Sequence, residues 1–189
     1  FPPDVKQTLL SLQSSGPDEI HRESLAAQQL VQLYAECVHQ LLTTAKINRD
    51  QVTAIGAHGQ TIRHLPNQRY TRQLNQPALL AELTGIDVIA DFRSRDICLG
   101  GQGAPLVPIY HFNLLNNYLK QEQKNIGVLN IGGVSNLTLF NKDNEASLTG
   151  FDVCFGNSVF DDLIQEKTKK NYDMTIDNSL SKSKKINLK

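Results

Sequence analysis

Residues 77–105 read PALLAELTGIDVIADFRSRDICLGGQGAP, and the reading of this stretch decides the fold class. Pro77 suits the first turn of a helix, predicted over 77–83. The run 86–90 is apolar apart from Asp87, as a largely buried strand would be. From 91 to 103 the chain becomes charged and then glycine-rich, which marks a loop at the end of that strand. Proteins of the α/β class place ligands at such strand ends, where glycines let backbone N–H groups approach a substrate with no side chain between. Asp96 is the candidate general base here. Arg93 and Arg95 lie close in sequence and favour an ionised carboxylate, and a hydroxyl or water could approach across Gly100, Gly101 and Gly103. A surface loop with local ion pairs accounts for the same residues equally well.

The same order of helix then strand precedes this stretch. Leu25, Leu30, Leu33, Tyr34, Cys37, Val38, Leu41 and Leu42 recur at close to helical spacing and predict a long amphipathic helix over 24–45. Residues 52–56 are short, β-branched and closed by Gly56, so they read as a strand that feeds a loop over 58–66. In that loop His58, Gln60 and Thr61 set three hydrogen-bonding side chains beside Gly59, which suits a hydroxyl-rich ligand. A lone loop histidine is more often structural or solvated than catalytic. His64 is the weaker candidate of the two.

Downstream, a helix is predicted from about Pro105 to residue 119, with Pro108 tolerated only in its first turn. Ile126–Ile131 and Val134–Phe140 are apolar runs joined by Gly132-Gly133, and they predict an antiparallel hairpin. Residues 130–136 could hold a phosphate on backbone amides, or be a plain β-turn. Asp152 and Gly156 precede a helix capped by Asn157 that runs through Val159, Phe160, Leu163 and Ile164 to near Thr168. A helix N-terminus of this kind suits an anion or a metal-bound phosphate, and simple capping explains it as well. Residues 169–189 are rich in Lys, Asn and Ser, and are expected to be frayed for want of apolar surface to bury. The whole is predicted to be α/β with a mixed sheet.

Bulk properties narrow the function. With 189 residues, 40% hydrophobic and 20% charged, the chain can bury a core of one domain or parts of two. Lys plus Arg and Asp plus Glu each number 19, so no net field recruits nucleic acid or an anionic membrane. Tyr34, Tyr70, Tyr110 and Tyr118 do not interleave with a basic patch, which argues against a base-stacking surface. Cys37, Cys98 and Cys154 are far apart, which argues against a disulfide framework or a zinc site and for a reducing cytosol. No apolar run reaches the roughly 20 residues needed to cross a bilayer. The start at Phe1-Pro2-Pro3 lacks an initiator methionine, and the natural N-terminus is expected upstream.

Taken together and in order, AIGAHGQTIRHLP, QPALLAELTGIDVIADFRSRD, GGQGAPLVP, LNIGGVSNLTLF and GFD with a following GN resemble the anhydro-N-acetylmuramic acid kinases. These belong to the superfamily of sugar kinases, heat-shock chaperone ATPases and actin. ADFRSRD leading into GGQGAPLVP is the most specific part. Weaker similarity around Tyr172 and Asp173 implies a chain that stops inside a family sequence.

The resemblance implies an actin-like, ribonuclease H-like fold, with most of a first lobe over 1–124 and the start of a second over 125–189. It implies a cytoplasmic enzyme of peptidoglycan recycling that uses ATP and Mg²⁺ and forms a dimer. Asp96 would activate water for attack on the anomeric carbon of the 1,6-anhydro sugar. The freed O6 would take the γ-phosphoryl group, giving N-acetylmuramic acid 6-phosphate. His58, Gln60, Thr61, Arg93, Gly101 and Gln102 would contact the sugar. Gly132, Gly133, Asp152, Gly156 and Asn157 would serve the nucleotide.

Two departures from the family pattern stand out. No MSGTS-like phosphate loop precedes residue 52, and FDTGPGN appears as FDVCFGN, with Val153, Cys154 and Phe155 replacing Thr, Gly and Pro. They give the rival expectation of a degenerate homologue that at most binds sugar, and the expectation that this stretch of chain alone is inactive.

Overall fold

The computed structural model describes residues 1–122, 125–141 and 148–168. The expected frayed tail lies outside the described residues. The chain divides into two compact units, Phe1–Gly103 and Ala104–Lys189.

In the first unit, helix α1 (Pro3–Ser11) leads to the long helix α2 (Glu19–Ala45). Sequence periodicity finds α2 but misplaces its packed face. The buried residues are Ala26, Ala27, Leu30, Val31 and Ala35, whereas Leu25 and Leu41 are exposed. Alanines allow close approach of neighbouring elements, so the packed stripe is built of small residues that a search for large apolar side chains passes over. Leu12, Ala26, Ala27, Leu30, Ile62 and Leu74 form one core cluster, and Val31, Ala35, Ala57 and Leu80 form a second. Helix α2 contributes to both.

Strand β1 (Ile55–Gly56) is followed by β2 (Gln60–Leu65), β3 (Tyr70–Leu74), helix α3 (Pro77–Thr84), β4 (Val88–Ile89) and the short helix α4 (Ser94–Cys98). The expected loop over 58–66 is therefore largely a strand, antiparallel to β3. The pattern was obscured because the outward positions are so polar. Ile62 and Leu74 point into the core, while Arg63 and Arg72 reach back to Glu19 and Glu23 of α2, each at 2.6 Å. Strands β1 and β4 are parallel, with Ile55 opposite Val88 and Gly56 opposite Ile89. Backbone bonds from Ile55 to Asp87 at 2.8 Å and from Ala57 to Ile89 at 2.9 Å continue the pairing. Because parallel strands end on the same side, the residues after β1 and those after β4 emerge together. This brings the His58 segment and the Asp91–Asp96 segment to one edge.

In the second unit, helix α5 (Val107–Glu122) precedes three antiparallel strands, β5 (Ile126–Ile131), β6 (Val134–Phe140) and β7 (Thr149–Phe155), in the order β5-β6-β7. Pro108 stands in the first turn of α5, as its missing N–H requires. The sheet face that carries Thr138 and Phe140 is closed by α5. His111 Nδ1 lies 3.0 Å from Thr138 Oγ1, and the rings of Phe112 and Phe140 stack at 6.3 Å. Gly150 is obligatory in this packing, because a Cβ there would fall 2.2 Å from Pro108.

Strand β7 is an addition to the sequence reading, which places Asp152 and Gly156 before a helix and assigns them no element. Its register slips between Ser135 and Asn136, which pair with Cys154 and Asp152, leaving Val153 as a bulge. Helix α6 (Ser158–Thr168) follows directly. The fold is α/β. Parallel and antiparallel pairings occur in separate small sheets rather than in one mixed sheet among the described residues.

Candidate functional site

The segment after β4 begins with Asp91 in the left-handed region, at φ 56°. That conformation is rare outside glycine and is tolerated by Asp and Asn. Asp91 Oδ1 accepts from the Ser94 N–H at 3.3 Å, so the reversal hands the chain to α4. Arg93 and Asp96 are half-buried, and Ile97, between Asp96 and the glycines, is fully buried and anchors the turn.

Gly103 ties the segment together. Its N–H donates to Asp96 Oδ2 at 2.7 Å, and its carbonyl accepts from an Arg93 guanidinium nitrogen at 2.5 Å. It adopts φ +68°, and a Cβ there would collide with Ile97 at 2.7 Å. The Gly101 N–H donates to the backbone carbonyl of Asp96 at 2.8 Å. A Cβ on Gly101 would lie 2.2 Å from Asp96 Oδ2, so the carboxylate occupies the volume that a side chain would fill. The sequence reading places Arg93 and Arg95 close to Asp96 along the chain. The hydrogen bond to its carboxylate comes from a backbone amide, and no other described group donates to that carboxylate.

Arg93 also reaches across to the β1 side, where its Nε donates to His58 Nε2 at 2.7 Å. His58 Nδ1 is 3.0 Å from the carbonyl of Gly59. An arginine nitrogen can only donate, so Nε2 accepts and the proton sits on Nδ1, where it serves the Gly59 carbonyl. Gly59 itself has φ +78°, with no room for a Cβ beside the carbonyl of Leu74. Asn75 steadies this corner by donating to the Ala57 carbonyl at 2.9 Å.

His58, Arg93, Gly103 and Asp96 are thus joined in one hydrogen-bonded chain. The other candidates stand apart from it. Gln60 lines a groove of about 400 Å³ with His58, Tyr34 and Cys37. Thr61 accepts from Gln73 at 3.3 Å. Gln102 is exposed beside the glycines. A smaller polar recess of about 160 Å³ is lined by His58, Thr71, Gln73, Asn75, Asp91 and Ser94. Gly103 and Asn75 escaped the sequence reading as participants. The first acts only through its backbone, and the second directly follows β3, a strand outside the loop predicted over 58–66.

The second unit holds the other candidates. The N–H groups of Gly156 and Asn157 donate to the carbonyls of Gly133 and Gly132 at 2.8 and 2.7 Å, and Ser158 Oγ donates to Gly133 at 2.8 Å. These bonds seat the start of α6 on the β5-β6 turn. A Cβ on Gly156 would fall 2.0 Å from the Gly132 carbonyl oxygen, so this glycine is demanded by the fold.

Gly132 and Gly133 differ. Neither adopts a left-handed φ, and Cβ atoms there would meet nothing nearer than 3.6 and 3.8 Å. Neither turn geometry nor packing explains them. Asp152 is exposed on β7, as are Val153 and Phe155. Among the described residues, no three His, Cys, Asp or Glu side chains group as a metal site, and no helix is long and apolar enough to cross a membrane.

Comparison with known proteins agrees with the motifs. The family model for anhydro-N-acetylmuramic acid kinase matches residues 1–188. Proteins named anhydro-N-acetylmuramic acid kinase from Cupriavidus metallidurans, Bordetella avium and Pseudomonas putida are 50%, 51% and 48% identical, each over 92% of this chain. The chain spans about half the length of the curated relatives it matches, covering 46%, 44% and 46% of these three. The chain belongs to the anhydro-N-acetylmuramic acid kinase family, whose fold is that of the sugar kinases and actin-like ATPases.

Proposed function

We propose that the full-length protein is an ATP-dependent kinase that opens 1,6-anhydro-N-acetylmuramic acid with water and phosphorylates O6, as a cytoplasmic enzyme of cell-wall sugar recycling. The observation that carries this reading is the setting of Asp96. Its carboxylate is fixed by the Gly103 amide through one oxygen, while the other takes no hydrogen bond from any described group. A carboxylate held in this way is a base with one oxygen aimed by its fixed partner.

In the proposed reaction Asp96 accepts a proton from water as that water attacks the anomeric carbon. The bond from that carbon to O6 breaks, and O6 leaves as the acceptor for phosphorylation. Bound ATP with Mg²⁺ supplies the phosphoryl group. Arg93, Gly101, Gln102, Gln60 and Thr61 are assigned to the sugar side, with His58 behind Arg93.

On the nucleotide side the support is Gly132 and Gly133, whose missing side chains the fold does not explain and a close-lying phosphate would. Gly156 and Asn157 are assigned a different part: their amides hold that turn in shape. Asp152 is a single exposed carboxylate, the kind of group that joins phosphates around Mg²⁺. The first unit is read as belonging to the sugar-binding lobe and the second as the start of the other lobe. The Val153 bulge and exposed Phe155 accommodate the change from the family's FDTGPGN without burying a bulky ring.

The test is to incubate the full-length protein with the anhydro sugar, ATP and Mg²⁺ and to follow N-acetylmuramic acid 6-phosphate by mass spectrometry. Product formation supports the kinase. Sugar binding with no product overturns it in favour of a binding homologue.

A further inference from the structure

We propose that His58 is a positioning residue, which sets the Asp96 base through Arg93 and Gly103. The proposal rests on the reading of Asp96 given above. The geometry is a continuous path. Gly59 O takes the His58 Nδ1 proton, His58 Nε2 accepts from Arg93 Nε at 2.7 Å, Arg93 donates to Gly103 O at 2.5 Å, and Gly103 N–H donates to Asp96 Oδ2 at 2.7 Å. Both nitrogens of the imidazole are therefore engaged inside the protein. His58 acts on the chemistry by holding the guanidinium that holds the Gly103 peptide.

The Gly103 N–H and carbonyl belong to successive peptide units joined at its Cα. Arg93 fixes the second of these, which limits the backbone torsions by which the first can leave Asp96. Gly103 has the freedom to rotate that a residue with a Cβ would lack, and Arg93 is what removes that freedom. The path depends on an unprotonated Nε2. Protonation of His58 makes Nε2 a donor facing a donor and sets two cations in contact.

The other charged or titratable groups facing His58 are Asp91, Arg72, Tyr34 and Cys37, from the segment after β4, from β3 and from α2. The cation in direct hydrogen bond with the ring is Arg93.

Two variants of the full-length protein separate this from a direct catalytic or purely structural role. In His58→Gln the amide oxygen can accept from Arg93 Nε and does not titrate. In His58→Ala the path is cut. The expected result is that kcat/KM of H58A falls about 100-fold, the scale on which misplacing a catalytic group acts. H58Q is expected to recover most of that loss. An H58Q variant as impaired as H58A overturns the proposal.

Nitrogen-15 NMR of the imidazole reads the same path with no turnover required. Nδ1–H with an unprotonated Nε2 that changes on Arg93→Lys is expected, and an Nε2–H tautomer overturns the proposal. Should wild-type protein make no sugar phosphate, the kinase reading fails, while the tautomer still decides the path.

Discussion

The N–H of Gly156 donates to the carbonyl of Gly133 at 2.8 Å, and a Cβ on Gly156 would lie 2.0 Å from the neighbouring Gly132 oxygen. Two glycine sites in one motif therefore answer to different demands. Gly156→Ala forces backbone apart and is expected to lower stability by about 1–3 kcal/mol, the usual cost of overpacking. Gly132→Ala meets only ordinary van der Waals contact, at 3.6 Å or more, and is expected to change stability by less than about 0.5 kcal/mol, as for ordinary surface substitutions. It should nevertheless weaken nucleotide binding. Thermal unfolding and titration with ATP check the pair, and equal destabilisation by both would contradict the distinction.

Gly101→Ala drives a methyl group into the space of the Asp96 carboxylate, with its Cβ 2.2 Å from Oδ2. The carboxylate must rotate away and give up the Gly103 amide. Turnover is expected to fall about 100-fold. The loop is at the surface, so the melting temperature should move little. Steady-state kinetics beside calorimetry test this, and an active G101A variant would remove the geometric argument for Asp96.

These two glycine cases show where sequence was informative and where it was not. The strand end before Asp96 was legible because apolar runs, charges and glycines follow one another in a pattern with few structural solutions, although Asp96 stands in the short helix α4 within the loop expected over 91–103. The β5-β6 hairpin was legible for the same reason. Strand β2 was missed because Ile62 is its one buried residue and the register shift between Thr61 and Arg63 interrupts the period of two there. Strand β7 was missed because the bulge at Val153 breaks the period of two on which strand reading depends.

The hydrogen-bond partner of Asp96 was hidden for a different reason. Sequence neighbours supply side-chain charges, and the group that binds the carboxylate is a backbone amide seven residues on, which no residue type announces. The meeting of His58 with Arg93 was equally hidden. It follows from the parallel pairing of β1 with β4, two residues long in each strand, which local pattern does not reveal.

Leu30 is fully buried at the point where α2 packs on Ile62 and Leu74 of the β2-β3 hairpin. Leu30→Ala is expected to cost about 2–5 kcal/mol. Leu41, exposed on the same helix, should tolerate alanine within about 0.5 kcal/mol. Denaturant unfolding of both variants checks which of the leucines predicted by the helical spacing belongs to the packed face.

The most direct test of the account is the turnover of Asp96→Asn in the full-length protein, measured beside its affinity for the anhydro sugar. Asparagine keeps the acceptor that Gly103 needs and removes the base. The account predicts that turnover falls by about 10²–10⁴-fold, the range for loss of general base catalysis, while sugar affinity stays within about threefold. An Asp96→Asn enzyme that turns over at close to the wild-type rate would contradict it.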